Sequence, residues 1–169
     1  MIPSDIHLEL GQPYYVAASV DVDDNSPDGV TFYVKKLSGG EAEPLQVANV
    51  KHEVVRDYRP DYALNLGGRH GSDRHYWDGL LDHVRLSSGV LPKESLLISD
   101  PEAAIDSLAG DWRFDGDAQA TVADHSPRNN DISIKLSNMD PGKSAAPSTS
   151  ALVDFCHVLL NSNEFLYVD

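Results

Sequence analysis

Several groups that define common classes of protein are scarce or missing in this chain of 169 residues. Cys156 is the only cysteine, which excludes an intrachain disulfide, a Cys-based zinc site and a haem-attachment motif. Lys and Arg number 13 against 27 Asp and Glu, and the net charge of -14 argues against nucleic acid and anionic membranes as partners, because phosphates require basic side chains. No apolar run is long enough to cross a bilayer, so no membrane insertion is expected. The first residues also lack the basic start and apolar run of a signal peptide.

The apolar residues that are present alternate with polar ones in short runs. Val30, Phe32 and Val34 share one face of a predicted strand, and the residues between them, including Tyr33, point away. Glycines and prolines punctuate the chain between such runs, as they do between antiparallel strands. Strands are predicted at 6–10, 14–22, 30–34, 46–50, 62–67, 77–87, 112–114 and 132–136, and short helices at 93–97 and 101–108. This pattern predicts an all-β fold, an antiparallel β-sandwich.

Composition divides the chain into three parts. Residues 1–137 are expected to form the sandwich, residues 138–150 a linker without apolar periodicity, and residues 151–169 a C-terminal amphipathic helix and tail. One short helix is marginal in water, so its apolar face needs a partner. That partner is either the sandwich, a neighbouring domain of a larger protein, which we favour, or a second copy of the chain in a homo-oligomer. The apolar face consists of Leu152, Phe155, Cys156, Leu159 and Leu160.

Four motifs follow one another in the order found in a known family. They are Ala17-Ala18 with Gly29 and Phe32-Tyr33-Val34, then Leu66-Gly67-Gly68, then Trp77-x-Gly79-x-x-Asp82-x-Val84-Arg85, and finally Leu91-Pro92-Lys93-Glu94. Over about residues 14–97 the chain resembles the laminin-G-like, concanavalin A-like jelly roll. Residues 111–136, beginning with Trp112-Arg113-Phe114-Asp115, resemble the opening strand of the same fold but come last. The jelly roll is therefore permuted or incomplete, and in a permuted one residues 111–136 would pair beside residues 77–86.

Residues 154–165 resemble the C-terminal end of large planctomycete surface or exported proteins of unknown function. The ending Leu159-Leu160-Asn161-Ser162-Asn163-Glu164-Phe165 carries this resemblance. Longer members combine a cytochrome-c-like region with an embedded laminin-G-like module. The resemblance implies a short relative or truncated product, a surface or exported location, and neighbouring domains as partners. Because the haem-attachment motif is missing, no redox role is carried over.

An acidic loop and a basic loop are the candidate binding sites. The acidic loop at 21–29 begins with the Asp-x-Asp-x-Asn spacing of a calcium loop, but Ser26 and Phe32 stand where that motif needs glycine and glutamate. We favour a polar hairpin loop here, and keep calcium as the only cofactor expectation because laminin-G-like modules often bind it at rim loops. Its candidate ligands are Asp21, Asp23, Asn25 and Asp28.

The basic loop precedes the motif that begins at Trp77. Its arginines could bind a carboxylate, a sulfate or an acidic sugar, and its aromatic residues could stack on a sugar ring. A solvated loop paired with nearby acids is the alternative, and Trp77 also occupies a core position of the family. The candidate ligand-binding residues are Arg69, His70, Arg74, His75, Tyr76 and Trp77.

Two further carboxylates are expected to be structural. Asp82 falls in phase with Leu80 and Val84, so it is predicted to point inward and to pair with Arg85 or accept backbone bonds. Asp124, two residues before Ser126, is typical of a turn that caps its own backbone.

Catalytic motifs are missing. Glycoside hydrolases of this fold use two nearby carboxylates, usually as Glu-x-Asp-x-x-Glu, and the sequence contains no such pattern. It also lacks a nucleophile elbow, a His-Glu-x-x-His motif and a phosphate loop. We therefore expect a non-enzymatic binding module, with carbohydrate as the first ligand class by analogy of fold. The alternatives are a docking module without a small ligand and, less favoured, a glycoside hydrolase-like enzyme.

Overall fold

The computed structural model describes residues 2–53, 64–67, 79–115 and 121–133. Within these ranges every strand pairing is antiparallel and the only helices are three short 3-10 turns, which confirms the all-β prediction. The finer prediction of a sandwich jelly roll is not established by these strands. The predicted linker at 138–150 and the C-terminal helix at 151–169 lie outside the described residues.

The first sheet is a meander of three strands in the order β1-β2-β3. Apolar residues oppose each other across it, for example Val16 and Val34. The predicted inner face of β2 is buried, but Tyr33 on the other face is buried as well. Tyr33 thus lies on the face opposite Val30, Phe32 and Val34, as predicted, and its burial shows that this face of β2 is also covered at that position. The strands are β1 (Tyr14–Val20), β2 (Val30–Lys36) and β3 (Gln46–Val50).

A second pair of strands brings the two out-of-order segments together. β4 (His83–Ser87) and β5 (Leu108–Arg113) are antiparallel, and Val84 lies opposite Trp112. This confirms the predicted pairing of the Trp112 segment beside the strand that contains Val84. The core of this region consists of Leu86, Ala109 and Trp112, with Leu64, Leu66, Val84, Phe114, Val122 and Ile132 packed against it.

Two residues predicted to point inward before β4 do not. Asp82 is exposed, and Leu80 is 96% exposed. The strand begins only at His83, so the alternation that predicted both orientations does not extend back to them. An exposed Asp82 keeps its hydration and avoids the cost of burying a charge. Its backbone oxygen accepts a hydrogen bond from the Phe114 N–H at 2.7 Å.

Other boundaries also differ from the predictions. Residues 6–10 form no strand. The predicted helix at 93–97 is a 3-10 turn, Lys93–Ser95, and the one at 101–108 is reduced to turns and Ile105–Ser107, because β5 begins at Leu108. A third 3-10 turn is Leu37–Gly39, and a two-residue ladder joins β6 (Thr121–Val122) to β7 (Ile132–Ser133). None of the helices in the described ranges is long and apolar enough to cross a membrane.

Candidate functional site

The two faces of the β4–β5 pair differ sharply in character. Side chains alternate along each strand, so Val84, Leu86 and Trp112 point to the apolar core. The intervening residues share the opposite face, where His83 lies opposite Arg113 and Arg85 lies opposite Asp111. We call these four residues, His83, Arg85, Asp111 and Arg113, the charged quartet.

Asp111 is the centre of the quartet. Its side chain is 4% exposed, and His83 Nε2 hydrogen-bonds to its Oδ1 atom. On the other oxygen, Oδ2, Arg113 Nη2 lies at 3.5 Å and Arg85 Nη2 at 3.7 Å. Burial alone would raise the pKa of this carboxyl, but the hydrogen bond from His83 and the nearby positive charges outweigh it and lower the pKa below its ordinary value. One carboxylate thus faces two guanidinium groups and an imidazole, and the quartet carries a net positive charge.

Arg85 has more donors than partners. Its side chain is 8% exposed, and its Nη2 atom donates a hydrogen bond to the Pro101 carbonyl. The Nε and Nη1 atoms are buried without a hydrogen-bond partner, which leaves the N–H of Nε and both N–H groups of Nη1 unpaired. Such a group costs about 1–3 kcal/mol when it is buried without an acceptor, and the great majority of buried polar groups have one. Arg85 is therefore the strongest indication of a ligand in the described part of the chain.

Tyr15 of β1 and the segment that follows β4 lie against this polar face. Burial raises the pKa of Tyr15 to about 12, and a hydrogen bond with the Ile98 backbone and the charge of Arg85 act in the opposite direction without outweighing it. The phenol therefore stays protonated at neutral pH. The neutral hydroxyl is near enough to the guanidinium of Arg85 for its charge to act on the pKa of Tyr15.

The acidic loop at 21–29 uses its carboxylates on its own backbone and on the adjacent strand. Asp21 Oδ1 accepts from the Asp23 N–H at 3.0 Å, and Asp28 Oδ1 accepts from Asn49 Nδ2 at 2.7 Å. Hydrogen bonds from Ser26 lower the pKa of Asp24. Across the described ranges, no three or more His, Cys, Asp or Glu side chains are arranged to hold a metal ion. Calcium binding by Asp21, Asp23, Asn25 and Asp28 stays a prediction.

His52 holds the base of this loop. It is 1% exposed, and its Nε2 atom donates a hydrogen bond to the Asp21 carbonyl at 2.6 Å. A Cβ atom at Gly29 would lie 1.9 Å from the Asp24 carbonyl oxygen and 2.7 Å from His52 Cδ2, so only glycine fits there. The loop is polar at its tip and closely packed at its base.

The turn at Asp124 has a structural role that extends the prediction. Asp124 Oδ1 accepts from the N–H groups of Ser126 and Asp111, each at 2.8 Å. Its Oδ2 atom accepts from the Ser126 hydroxyl and the Asn130 N–H, each at 2.7 Å. The self-capping turn is confirmed, and it also anchors β5 and so positions Asp111 of the quartet.

The site residues predicted from the sequence and the residues of the charged quartet are different sets. Arg69, His70, Arg74, His75, Tyr76 and Trp77 lie outside the described residues, as does Cys156, and their binding role stays a prediction. Sequence reasoning missed the quartet, although its members alternate with apolar residues in both strands. The missing information was the register, because only strand pairing brings Arg85 opposite Asp111.

Comparison with known proteins produces no match to this chain, whether with protein families, with curated proteins or with solved structures. The resemblances to laminin-G-like jelly rolls and to planctomycete surface proteins gain no support from these comparisons and stay predictions.

Proposed function

We propose that the protein is a non-catalytic binding module for carbohydrates that carry acidic groups. The observation that supports this most directly is the charged quartet with the unpaired donors of Arg85. The chain as a whole has a net charge of -14, and a locally positive, partly buried face in such a chain favours an anion as its ligand. Arginine suits carboxylate and sulfate groups because its planar donors match their oxygens.

The basic loop at 69–77 is a second group of residues that we propose to bind acidic glycans. It comes shortly before β4 in the chain, and its arginines and aromatic residues have the chemistry needed to bind an acidic sugar. In this proposal the loop contributes contacts to sugar rings, and the β4–β5 face is a separate candidate for binding an acidic group. A surface or exported location, as the resemblance implies, would bring the module into contact with such glycans.

The carboxylates near β5 support a non-catalytic role. Burial alone would raise the pKa of both Asp111 and Asp124, but hydrogen bonds and, for Asp111, nearby cations lower it instead. A glycosidase needs one carboxylic acid that remains protonated near its working pH. Neither group is suited to donate a proton in that way.

A glycan array with neutral, uronic-acid and sulfated members tests this function. The wild type is compared with Arg69→Ala plus Arg74→Ala, and with Lys93→Ala, an exposed cation paired only with its neighbour Glu94, as a control for loss of charge. We expect the wild type and the control to bind acidic glycans and the double variant to lose most of the signal. Equal signal from all three proteins, or no glycan signal at all, would count against the proposal.

A docking module without a small ligand is the second candidate. Several apolar side chains are exposed, among them Val47 at 52%, Val90 at 54% and Ile105 at 46%. Such residues favour contact with neighbouring domains of a larger protein if they form one patch. An array without any glycan signal, from a protein shown to be folded by circular dichroism, would favour this candidate over the first.

A further inference from the structure

We propose that Arg85 is the oxyanion receptor of this protein, with its unpaired N–H groups binding a carboxylate or sulfate group. The inference deepens the proposed function, and it rests on that function only for the source of the oxyanion. The site comprises Arg85 with Arg113 and His83 beside it, and Tyr15 is near enough for the charge of Arg85 to act on its pKa.

The donors of Arg85 need an acceptor that the surrounding residues do not supply. Its Nη2 atom is already engaged with Pro101 and lies near Asp111, whereas Nε and Nη1 have no partner. Asp111 does not serve them in this arrangement, because it is the Nη2 atom of Arg85 that lies near its Oδ2 atom, at 3.7 Å, while Nε and Nη1 have no partner. In this proposal the missing acceptor is an added group.

Charge favours an anion over a neutral acceptor. Asp111 is the one carboxylate in the quartet, and two guanidinium groups and an imidazole contact it. An added oxyanion would balance the excess positive charge in a region with little solvent, where electrostatic interactions are strong. Asp124, the other buried acid near β5, has both oxygens occupied by hydrogen bonds from its own turn and from the Asp111 backbone.

Exposure limits the size of the group that can enter. The side chain of Arg85 is 8% exposed, whereas those of His83 and Arg113 are 22% and 45% exposed. The quartet is open at the end where His83 pairs with Arg113. Because the Nε and Nη1 atoms are themselves buried, a free small anion, or the acidic group at the edge of a larger ligand, reaches them only by displacing neighbouring side chains, and a whole sugar ring is too large for this access.

Thermal denaturation and calorimetric titration with sodium sulfate, glucuronate and glucose test the site, with sodium chloride at matched ionic strength as the reference. The variants are Arg85→Gln, Arg85→Lys and, as a control with the same change at an exposed position, Arg128→Gln. Sulfate and glucuronate should raise the melting temperature of the wild type and of Arg128→Gln, and glucose should not. Arg85→Gln should bind these anions at least about tenfold more weakly, and Arg85→Lys should fall between them.

A partly exposed member of the quartet provides a second variant in case Arg85→Gln does not fold. Arg113→Gln should fold normally and bind sulfate a few times more weakly, because it removes one of the attracting charges without removing the receptor. Sulfate that stabilises the wild type no more than chloride does, or binds Arg85→Gln or Arg113→Gln as tightly as the wild type, would overturn the inference.

The results separate this inference from the proposed function. Binding of free sulfate that depends on Arg85, without binding of any glycan, supports the receptor and removes the glycan proposal. Binding of glycans that is unchanged in Arg85→Gln keeps a carbohydrate function and overturns the receptor.

Discussion

The tetrapeptide Asp-x-Ser-Pro occurs twice, at 24–27 and 124–127, and its two copies form the same local turn. In each copy the serine N–H donates to the aspartate Oδ1 atom at 2.8 Å. The backbone N–H two residues later donates to the serine Oγ atom, at 3.1 Å in the first copy and 3.2 Å in the second. Local sequence is thus sufficient to build the turn.

The copies differ in what surrounds them. Among the described residues, the carboxylate of Asp24 bonds only within its own turn, on a loop with an exposed tip. Asp124 is 6% exposed and also accepts from the backbones of Asp111 and Asn130. The same four-residue motif is a surface turn in one place and the anchor of a strand in the other. Its contribution to the free energy of unfolding therefore depends on how deeply it is buried.

The largest expected difference between the two turns is the loss of stability when the aspartate of each turn is replaced by alanine. Asp124→Ala leaves three backbone N–H groups, those of Asp111, Ser126 and Asn130, without their acceptor, and should lower the free energy of unfolding by about 4 kcal/mol. Asp24→Ala should have a much smaller effect because water can replace the lost bond. Urea denaturation of both variants measures the difference, and equal losses would show that burial does not decide the weight of this motif.

The substitution Asp111→Asn tests the role of the carboxylate on β5, the strand that the turn at Asp124 anchors. Because its pKa is lowered in the folded protein, the ionised carboxylate stabilises the fold above about pH 4, and this contribution is lost as the pH falls through the lowered pKa. The variant should lose about 3 kcal/mol at pH 7, because it leaves Arg85 and Arg113 without their charge partner, and its stability should depend less on pH below about 4. Denaturation at several pH values measures this, with the exposed Asp106→Asn as a control. An unchanged acid dependence would contradict the role given to Asp111.

The substitution Gly29→Ala tests how closely the base of the loop at 21–29, which contains the first Asp-x-Ser-Pro turn, is packed. The added methyl group would overlap the Asp24 carbonyl oxygen and approach the ring of His52, so the backbone of the loop must shift. We expect a loss of about 2 kcal/mol of unfolding free energy, which is typical of overpacking. Gly11→Ala cannot serve as a control because its φ is +71°, so Ser38→Ala, an exposed position, is used instead. A stability equal to that of the wild type would show that the loop is not closely packed on His52.

The smallest expected effect is the heat of calcium binding to the acidic loop at 21–29. The side-chain oxygens of Asp21, Asp24 and Asp28 already accept hydrogen bonds, so a cation would have to compete with them. We expect no heat when calcium is added to the wild type or to Asp23→Ala. A heat signal that the variant abolishes would instead establish the metal site that the Asp-x-Asp-x-Asn spacing suggests.

The parts of the fold that could be predicted are those that depend on near neighbours. The alternation of Val30, Phe32 and Val34 predicted the buried face of β2, and β3 was predicted with its observed limits. The pairing of Trp112 with the strand of Val84 is a long-range contact, and it was predicted from the order of motifs, not from periodicity. Asp82 was placed wrongly because the alternation was extended beyond the end of the strand.

The candidate site was less predictable than the fold. The loops at 21–29 and 69–77 were chosen for their composition, which can be read along the chain. The quartet can be recognised only once β4 and β5 are paired. Taken separately, the two strands give no indication of a shared site: one carries His83 and Arg85, and the other carries Asp111 and Arg113.

Local chemistry alone determined where the Asp-x-Ser-Pro turns form and which face of a strand such as β2 carries the aliphatic residues, because steric limits and side-chain alternation act between near neighbours. Only tertiary structure decided that one Asp-x-Ser-Pro turn would be buried and that Arg85 would face a single shared carboxylate. The physical reason is that desolvation and charge pairing depend on residues distant in sequence, and the register of β4 against β5 sets those distances.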